Sequence, residues 1–234
     1  MRGWKELEDM IWPRRCVVCG KILDVDECHL CAECLADMPL TYFWSWRNNP
    51  AERILWGRTY LENVVSLFFY SRDNDYKELL HAVKYGGDMQ LGRWLGSILG
   101  RYMRDIPALM PDFIVPVPLH WRRKWKRGYN QAEVIAGGLA EALGGLRVET
   151  GLLRRTGYSK SQTRMQTGNK WENVSGSFSL SSEADVDKLR GAHVMLVDDV
   201  LTTGATVEAC WDVLSLVPDV RVSYASIAFV QHPV

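Results

Sequence analysis

The chain has 234 residues, of which 47% are apolar and 24% charged, and its 28 basic residues balance its 28 acidic ones. This composition predicts one sizeable globular domain with a small appendage and excludes a disordered chain. No apolar run approaches the roughly 18 residues of a membrane span, and residues 1–6 lack the apolar stretch of a signal peptide. We therefore expect a cytoplasmic protein without membrane insertion.

Two Cys-x-x-Cys pairs near the N-terminus, Cys16/Cys19 and Cys31/Cys34, are separated by eleven residues. Two such pairs can complete a tetrahedral four-thiolate shell, so this spacing predicts a structural zinc ribbon over residues 1–45. Disulfides are the alternative, which a cytoplasmic location disfavours. Cys28 could replace one ligand by pairing with Cys31, and His29 is a further candidate donor.

An aromatic-rich connector at residues 42–56 spans the start of the predicted main domain, residues 46–234, and suits either core packing or base stacking. A strand is predicted over residues 63–70 and a helix from Tyr76 to Val83, and the glycines after Lys84 stop that helix. A second helix has its apolar face at residues 91–102. Lys84 suits either a surface position at a helix end or contact with an anion.

A buried strand is predicted over residues 113–119, and a basic loop follows in which two tryptophans interleave with five cations, including Arg123 and Arg127. Residues 120–170 contain eleven basic and three acidic residues, a charge of about +8 that indicates an anionic ligand. If this strand and the strand at residues 194–197 are parallel, the basic loop and Asp198 share one edge of the sheet. At that edge the basic loop could hold a diphosphate or a nucleic-acid backbone.

A further strand region is predicted at residues 147–153. It leads into a long polar stretch, residues 154–171, that contains Lys160, Gln162 and Arg164. Loops of this length inside compact domains are often functional, so we predict a flexible loop that closes over a ligand. The last strand is predicted over residues 220–230.

A short apolar strand at residues 194–197 ends in Asp198 and Asp199 and is followed by Thr-Thr-Gly-Ala-Thr at 202–206 and a helix. Small residues and hydroxyls at a helix start can hold a phosphate. Paired carboxylates can accept hydrogen bonds from vicinal hydroxyls and help to hold hydrated Mg²⁺. Phosphate and diol together indicate a ribose 5-phosphate group. A buried strand capped by two solvated aspartates is the purely structural alternative.

This stretch resembles the 5-phosphoribosyl-1-diphosphate (PRPP) motif of type I phosphoribosyltransferases, whereas neither a Walker loop nor a Gly-x-Gly-x-x-Gly occurs. The resemblance implies that Asp198 and Asp199 act on the ribose and that the PRPP 5-phosphate contacts the loop, which comprises Thr202, Thr203, Gly204, Ala205 and Thr206. It implies an α/β fold, a mainly parallel sheet flanked by helices.

With the cysteine pairs added, nearly the whole chain resembles the ComF family, in which a zinc ribbon precedes a phosphoribosyltransferase domain. The resemblance is carried by Lys84-Tyr85, Val-Pro-Val-Pro at 115–118, Arg-Gly-Tyr-Asn-Gln at 127–131, Gln162, Asn173-Val174 and Phe178, together with the acidic motif. Members are associated with natural competence and the handling of single-stranded DNA. Lys170, where arginine is common, and the extra Cys28 depart mildly from the pattern.

The resemblance implies structural zinc, magnesium with PRPP, and competence-machinery proteins as partners. Lys84, Arg123 and Arg127 are the candidate diphosphate ligands. The resemblance implies a protein that binds PRPP with Mg²⁺, transfers or senses phosphoribosyl groups and is linked to DNA uptake. The alternative function is a single-stranded DNA-binding or PRPP-responsive module without turnover. Ammonia transfer from glutamine is disfavoured because residue 2 is arginine rather than a cysteine nucleophile, and no general base for an acceptor is evident.

Overall fold

The computed structural model describes residues 13–156, 177–182 and 185–231. The strands are β1 Val64–Tyr70, β2 Phe113–Pro116, β3 Leu153–Arg155, β4 Phe178–Leu180, β5 His193–Leu201 and β6 Arg221–Val230. The α-helices are α1 Ala32–Ala36, α2 Pro50–Leu55, α3 Lys77–Tyr85, α4 Met89–Met103, α5 Trp121–Arg127, α6 Gln131–Ala142 and α7 Ala205–Leu214. Within these residues no helix is both long and apolar enough to cross a membrane.

Four strands form a parallel sheet in the order β1-β6-β5-β2. The sheet is buried on both faces because strand side chains alternate: Met195 and Val197 pack towards α3, α4 and α6, whereas Val194 and Leu196 pack towards α2 and α7. β3 and β4 form a separate antiparallel pair. This is the α/β fold of type I phosphoribosyltransferases, as the acidic motif implied.

The parallel arrangement decides where functional groups meet. Residues 113–116 of β2 pair in parallel with residues 194–197 of β5. The segments that follow these two strands therefore leave the sheet at the same edge. The expectation that the basic segment and Asp198 share one edge is therefore confirmed. The carboxyl ends of β1, β2, β5 and β6 all lie along this edge, the usual ligand position in an open parallel sheet.

Three local expectations were wrong. The basic segment predicted as a loop is helix α5, which His120 caps and Gly128 ends in a left-handed conformation (φ 82°). The strand predicted at 147–153 is reduced to a bridge at Val148, and β3 begins only at Leu153. β5 extends to Leu201, so the two aspartates lie within the strand rather than after it, because pairing with β6 continues past them.

The N-terminal region docks against the edge strand β1. Leu40 forms an antiparallel bridge with Phe68, and Thr41 N donates to Leu67 O at 3.0 Å. The Tyr76 hydroxyl donates to Cys34 O at 2.7 Å. Residues 39–41 thus cover a sheet edge that would otherwise be unpaired, and the cysteine-containing region is held against α3. The domain boundary near residue 45 remains a prediction.

Candidate functional site

Asp198 and Asp199 form a carboxylate pair at the carboxyl end of β5. Asp198 is partly buried and Asp199 is only 9% exposed. The amide of Asp199 donates to Asp198 Oδ1 at 2.8 Å, which fixes one carboxylate relative to the next residue. Lys84 Nζ, at the end of α3, lies 3.2 Å from Asp199 Oδ2. Lys84 is therefore not a solitary surface lysine but a partner of the acidic pair.

The environment of the pair raises the pKa of Asp198 to about 7. Burial is the main cause and the charge of Asp199 is the second, whereas the Asp199 amide, Lys84 and Arg155 act in the opposite direction. Near neutral pH the carboxyl group of Asp198 is thus divided between its neutral and its charged form. A bound cation, or a ligand with developing positive charge, would favour the fully ionised pair.

The loop at 202–206 follows the pair and leads into the ten-residue helix α7. Gly204 is the N-cap residue of this helix and adopts the left-handed conformation (φ 77°). Because glycine has no side chain, it makes no side-chain hydrogen bond to the first amides of the helix. The amides at this helix start are therefore available to an anion. Thr202 and Thr206 line the cleft beside the acidic pair, whereas Thr203 and Ala205 are exposed elsewhere on the loop.

Gly204 is also required for packing. A Cβ atom at this position would lie 2.5 Å from Leu55 Cδ2, so α2 fills the space behind the loop. Substitution of Gly204 by valine would therefore disturb the fold directly, and it cannot serve as a selective test of phosphate binding.

Helix α5 presents two different faces. Arg123 and Arg127, four residues apart, line the cleft with Lys84 and the acidic pair. Trp121 and Trp125 are also four residues apart but point away from the cleft, with 66% and 89% of their surfaces exposed. The three predicted diphosphate ligands are thus brought together in one cleft of about 190 Å³.

Arg155 on β3 also lines this cleft, and sequence reasoning missed it as a site residue. Its guanidinium lies 5.1 Å from the Phe178 ring and its charge lowers the pKa of Asp198. In sequence it stood at the start of a polar stretch with several other cations, so no local signal distinguished it. With Arg155 included, four cations and two carboxylates line the cleft, which therefore favours an anionic ligand.

The segment between α5 and α6 holds the cleft in shape. Arg127 Nη1 donates to Gln131 Oε1 at 2.8 Å, and its guanidinium lies 5.2 Å from the Tyr85 ring. The Tyr129 hydroxyl donates to Val83 O in α3. Asn130 caps α6 and donates to Val117 O at 3.1 Å. These contacts give the Arg-Gly-Tyr-Asn-Gln motif a positioning role that connects β2, α3 and α6.

A second cleft of about 1190 Å³ adjoins the first and shares Lys84, Val200 and Thr202 with it. It lies at the carboxyl ends of β1 and β6 and contains Tyr70 and His81. The larger cleft offers space for a second ligand next to the acidic pair.

Cys16, Cys19, Cys31 and Cys34 form one cluster whose sulfur atoms all lie within 4.8 Å of one another. Cys19 Sγ and Cys31 Sγ are 3.7 Å apart, close to the roughly 3.8 Å edge of a tetrahedron with zinc–sulfur bonds of about 2.3 Å. This is far beyond a disulfide bond of about 2.05 Å. Cys28 is exposed and outside the cluster.

The chemistry of the cluster fits a divalent cation. Burial raises the pKa of Cys34, and hydrogen bonds with the neighbouring thiols add to this effect. A metal such as zinc would favour the thiolate forms of the four cysteines and hold both Cys-x-x-Cys turns. His29 is not in the cluster. Its Nδ1 lies 3.8 Å from Asp88 Oδ2, and its ring contacts Trp94.

The predicted flexible-loop residues Lys160, Gln162 and Arg164 lie outside the described residues, as do Asn173 and Val174. Their roles remain predictions.

Comparison with known proteins supports the same fold. Residues 130–218 match the family model of the phosphoribosyl transferase domain. Competence protein F of Haemophilus influenzae is 30% identical over 132 residues, which cover 55% of this chain and 56% of that protein. DNA utilization protein YhgH of Escherichia coli K12 is 27% identical over 82% of this chain and 80% of its own length. Competence protein ComFC of Bacillus subtilis is 28% identical over 58% of this chain and 52% of its own length.

Solved structures similar to this chain include the glutamine PRPP amidotransferase from B. subtilis, with 22% identity, a TM-score of 0.36 and coverage of 56% of this chain and 26% of that chain. Adenine phosphoribosyltransferase from Leishmania donovani gives 13% identity, a TM-score of 0.38 and coverage of 77% and 80%. The matched domain, the competence relatives and the four-cysteine cluster fit one description. The chain is similar to the ComF family, in which a zinc-ribbon-like cluster is joined to a type I phosphoribosyltransferase fold.

Proposed function

We propose that this protein binds PRPP, or a similar phosphoribosyl ligand, with Mg²⁺ and acts in the handling of incoming DNA. One observation carries the proposal: a carboxylate pair and a glycine-containing helix start follow each other at the carboxyl end of β5, opposite a cluster of cations. The names of the competence and DNA-utilization relatives support the link to DNA uptake. A cytoplasmic location and contact with competence-machinery proteins are part of this proposal.

The roles of the residues follow from their charges. The helix start and the hydroxyls of Thr202 and Thr206 would receive the 5-phosphate, and Asp198 and Asp199 would accept hydrogen bonds from the ribose hydroxyls. Lys84, Arg123 and Arg127 would neutralise the diphosphate. Mg²⁺, held by the diphosphate and the acidic pair, would supply further charge compensation when bound.

Transfer, if an acceptor is present, would break the bond from ribose C1 to the diphosphate oxygen and form a bond from C1 to the acceptor. Positive charge would develop at C1 beside Asp198 and Asp199, which suits their stabilising role. The cations would hold the leaving diphosphate. The adjoining cleft is the space available to an acceptor.

Binding of single-stranded DNA is the second candidate function, and the outward face of α5 favours it. Trp121 and Trp125 project from a helix with five cations, and Arg122 lies 5.2 Å from the Trp121 ring. Exposed aromatic rings among cations are typical of surfaces that stack bases without sequence preference. Because this face is opposite the one that lines the cleft, DNA and PRPP need not compete.

PRPP binding is tested by isosteric changes at the loop and the acidic pair. We expect Thr206→Val to weaken both PRPP and ribose 5-phosphate by about tenfold, because it removes a hydroxyl but keeps the side-chain shape. Asp198→Asn with Asp199→Asn should weaken PRPP much more than ribose 5-phosphate, since the latter keeps its phosphate contacts. Thr150→Val, at an exposed threonine that does not line the cleft, is the matched control, and calorimetry with Mg²⁺ is the measurement. Wild-type protein that binds neither ligand would refute the proposal.

The raised pKa of Asp198 predicts a pH-dependent stability. An aspartate that titrates near 3.8 in the unfolded chain and near 7 in the folded one contributes stability at low pH that is lost as pH rises towards 7. The Asp198→Asn variant lacks this pH-dependent loss of stability. Between pH 5 and pH 8 its free energy of unfolding should therefore rise by on the order of 2 kcal/mol relative to that of wild type.

Urea unfolding of both proteins at each pH measures this difference. Asp105→Asn, at a carboxylate whose side chain is 85% exposed, should show no comparable trend. If the free energies of unfolding of wild type and Asp198→Asn differ by the same amount at every pH, the pKa of Asp198 is not raised.

Metal binding is tested by single cysteine substitutions. Reduced, freshly purified protein should contain about one zinc per chain. Cys31→Ser should lose the metal and lower the unfolding temperature, because ligand binding and folding of this region are coupled. Cys28→Ser should retain the metal, since Cys28 is outside the cluster. Metal analysis by mass spectrometry gives the result, and a metal-free wild type would exclude a zinc site.

DNA binding is tested by removal of the exposed tryptophans. Trp121→Ala and Trp125→Ala should each weaken oligo-dT binding by about 1–3 kcal/mol per stacked base lost, and affinity should fall steeply with salt. Tyr60→Ala, at a tyrosine that is 88% exposed and lies outside both α5 and the aromatic connector, is the control. Fluorescence anisotropy gives the affinities. Equal affinity for all four proteins at all salt concentrations would reject this surface.

A further inference from the structure

The loop at 202–206 is supported from behind by residues that are far away in sequence. Ile54 and Leu55 lie against Gly204, with distances of 3.5 Å and 2.5 Å from Ile54 Cγ2 and Leu55 Cδ2 to the position of a Cβ atom. Farther along α7, Trp211 Nε1 donates to Tyr60 O at 3.2 Å. The segment from α2 to residue 60 is therefore a platform for both the loop and its helix.

Arg58 makes the polar part of this support. Its Nη1 donates to Thr203 O at 2.7 Å and to Ile54 O at 3.3 Å. The contact with Thr203 spans 145 residues of sequence. A carbonyl held on the outer side of a tight turn leaves the neighbouring amides directed to the other side, where an anion would bind.

Arg58 also pairs with Glu208 in the first turn of α7. Its Nε donates to Glu208 Oε2 at 3.0 Å and its Nη2 contacts the same oxygen. A carboxylate so close to the helix start would repel a phosphate bound there. The pair is only about one-third exposed on each side chain, so the guanidinium compensates this charge with limited help from solvent.

We propose that Arg58 is a positioning residue for the 5-phosphate of a phosphoribosyl ligand, acting through Thr203 and Glu208 without touching the ligand. It fixes the loop with its amides towards the ligand and neutralises the acid nearest to the helix start. This inference rests on the proposed function, since it assigns the phosphate to this loop.

The two contributions of Arg58 have different signatures. Arg58→Met keeps the aliphatic stem but removes both contacts, so the loop loosens and Glu208 becomes an uncompensated charge. Glu208→Gln keeps the Thr203 contact and removes the repulsive charge. The double variant loosens the loop without leaving the charge. Arg58→Lys keeps the positive charge but offers a single donor nitrogen in place of the three of the guanidinium.

The experiment combines hydrogen exchange of residues 202–207 with calorimetry, using ribose 5-phosphate and inorganic pyrophosphate with Mg²⁺ as probes. Arg58→Met should bind ribose 5-phosphate about tenfold more weakly, with faster exchange in the loop, and pyrophosphate affinity should stay within about twofold. Glu208→Gln should bind ribose 5-phosphate at least as well as wild type, with unchanged exchange. The double variant should exchange as fast as Arg58→Met but bind more tightly, and Arg58→Lys should restore part of both properties.

Arg53→Met is the matched control, because Arg53 lies on the same segment but donates to Asn48 O. Unchanged loop exchange in Arg58→Met, or equal losses for ribose 5-phosphate and pyrophosphate, would overturn the inference. If wild type binds pyrophosphate but not ribose 5-phosphate, the phosphate assignment under the proposed function fails, and the role of Arg58 towards a ligand fails with it. If wild type and Arg58→Met bind ribose 5-phosphate equally well, the proposed function stands and only the positioning role of Arg58 is refuted.

Discussion

Two adjacent carboxylates at the end of a buried strand are the constraint around which this fold is arranged. Asp198 and Asp199 are fixed by the pairing of β5 with β6 and by a backbone hydrogen bond between them. Burial and mutual repulsion make full ionisation unfavourable unless cations lie nearby. The surrounding elements supply such cations, so the local charge balance depends on the packing of several separate segments.

Those segments converge because all strands of the main sheet are parallel. β1 leads to α3 and Lys84, β2 leads to α5 with Arg123 and Arg127, and the β3–β4 pair brings Arg155. Tyr129 and Asn130 then connect these pieces to one another. The candidate site is therefore an edge of the sheet assembled from four parts of the chain, and the acidic motif contributes only one of them.

The N-terminal region contributes to the same assembly. Tyr76, next to the start of α3, donates to the carbonyl of Cys34, a member of the cysteine cluster, and His29 lies beside Asp88 just after the end of α3. Both contacts are close to the helix that presents Lys84. On the opposite face of the sheet, α2 and Arg58 hold the loop at residues 202–206 from behind. Residues with no motif of their own thus define the shape of the site.

The sequence by itself determined the features that depend on local pattern. Cysteine spacing identified the four-sulfur cluster, and apolar periodicity identified β1, α3 and α4. The run from strand to acidic pair to threonine loop identified the edge of the sheet that carries the candidate site. Each of these is encoded within a few tens of residues, because strand alternation, helical spacing and paired turns are local properties.

Only the tertiary structure decided which distant residues complete the site. Arg155 looked like one cation among many in a polar stretch, and the contact of Arg58 with Thr203 joins positions 145 residues apart. The charge of the basic segment and the prolines before it favour a loop, whereas the cap at His120 and the glycine stop at Gly128 that delimit helix α5 are weak local signals. Packing of a parallel sheet brings such residues together, and no local periodicity records which of them will meet.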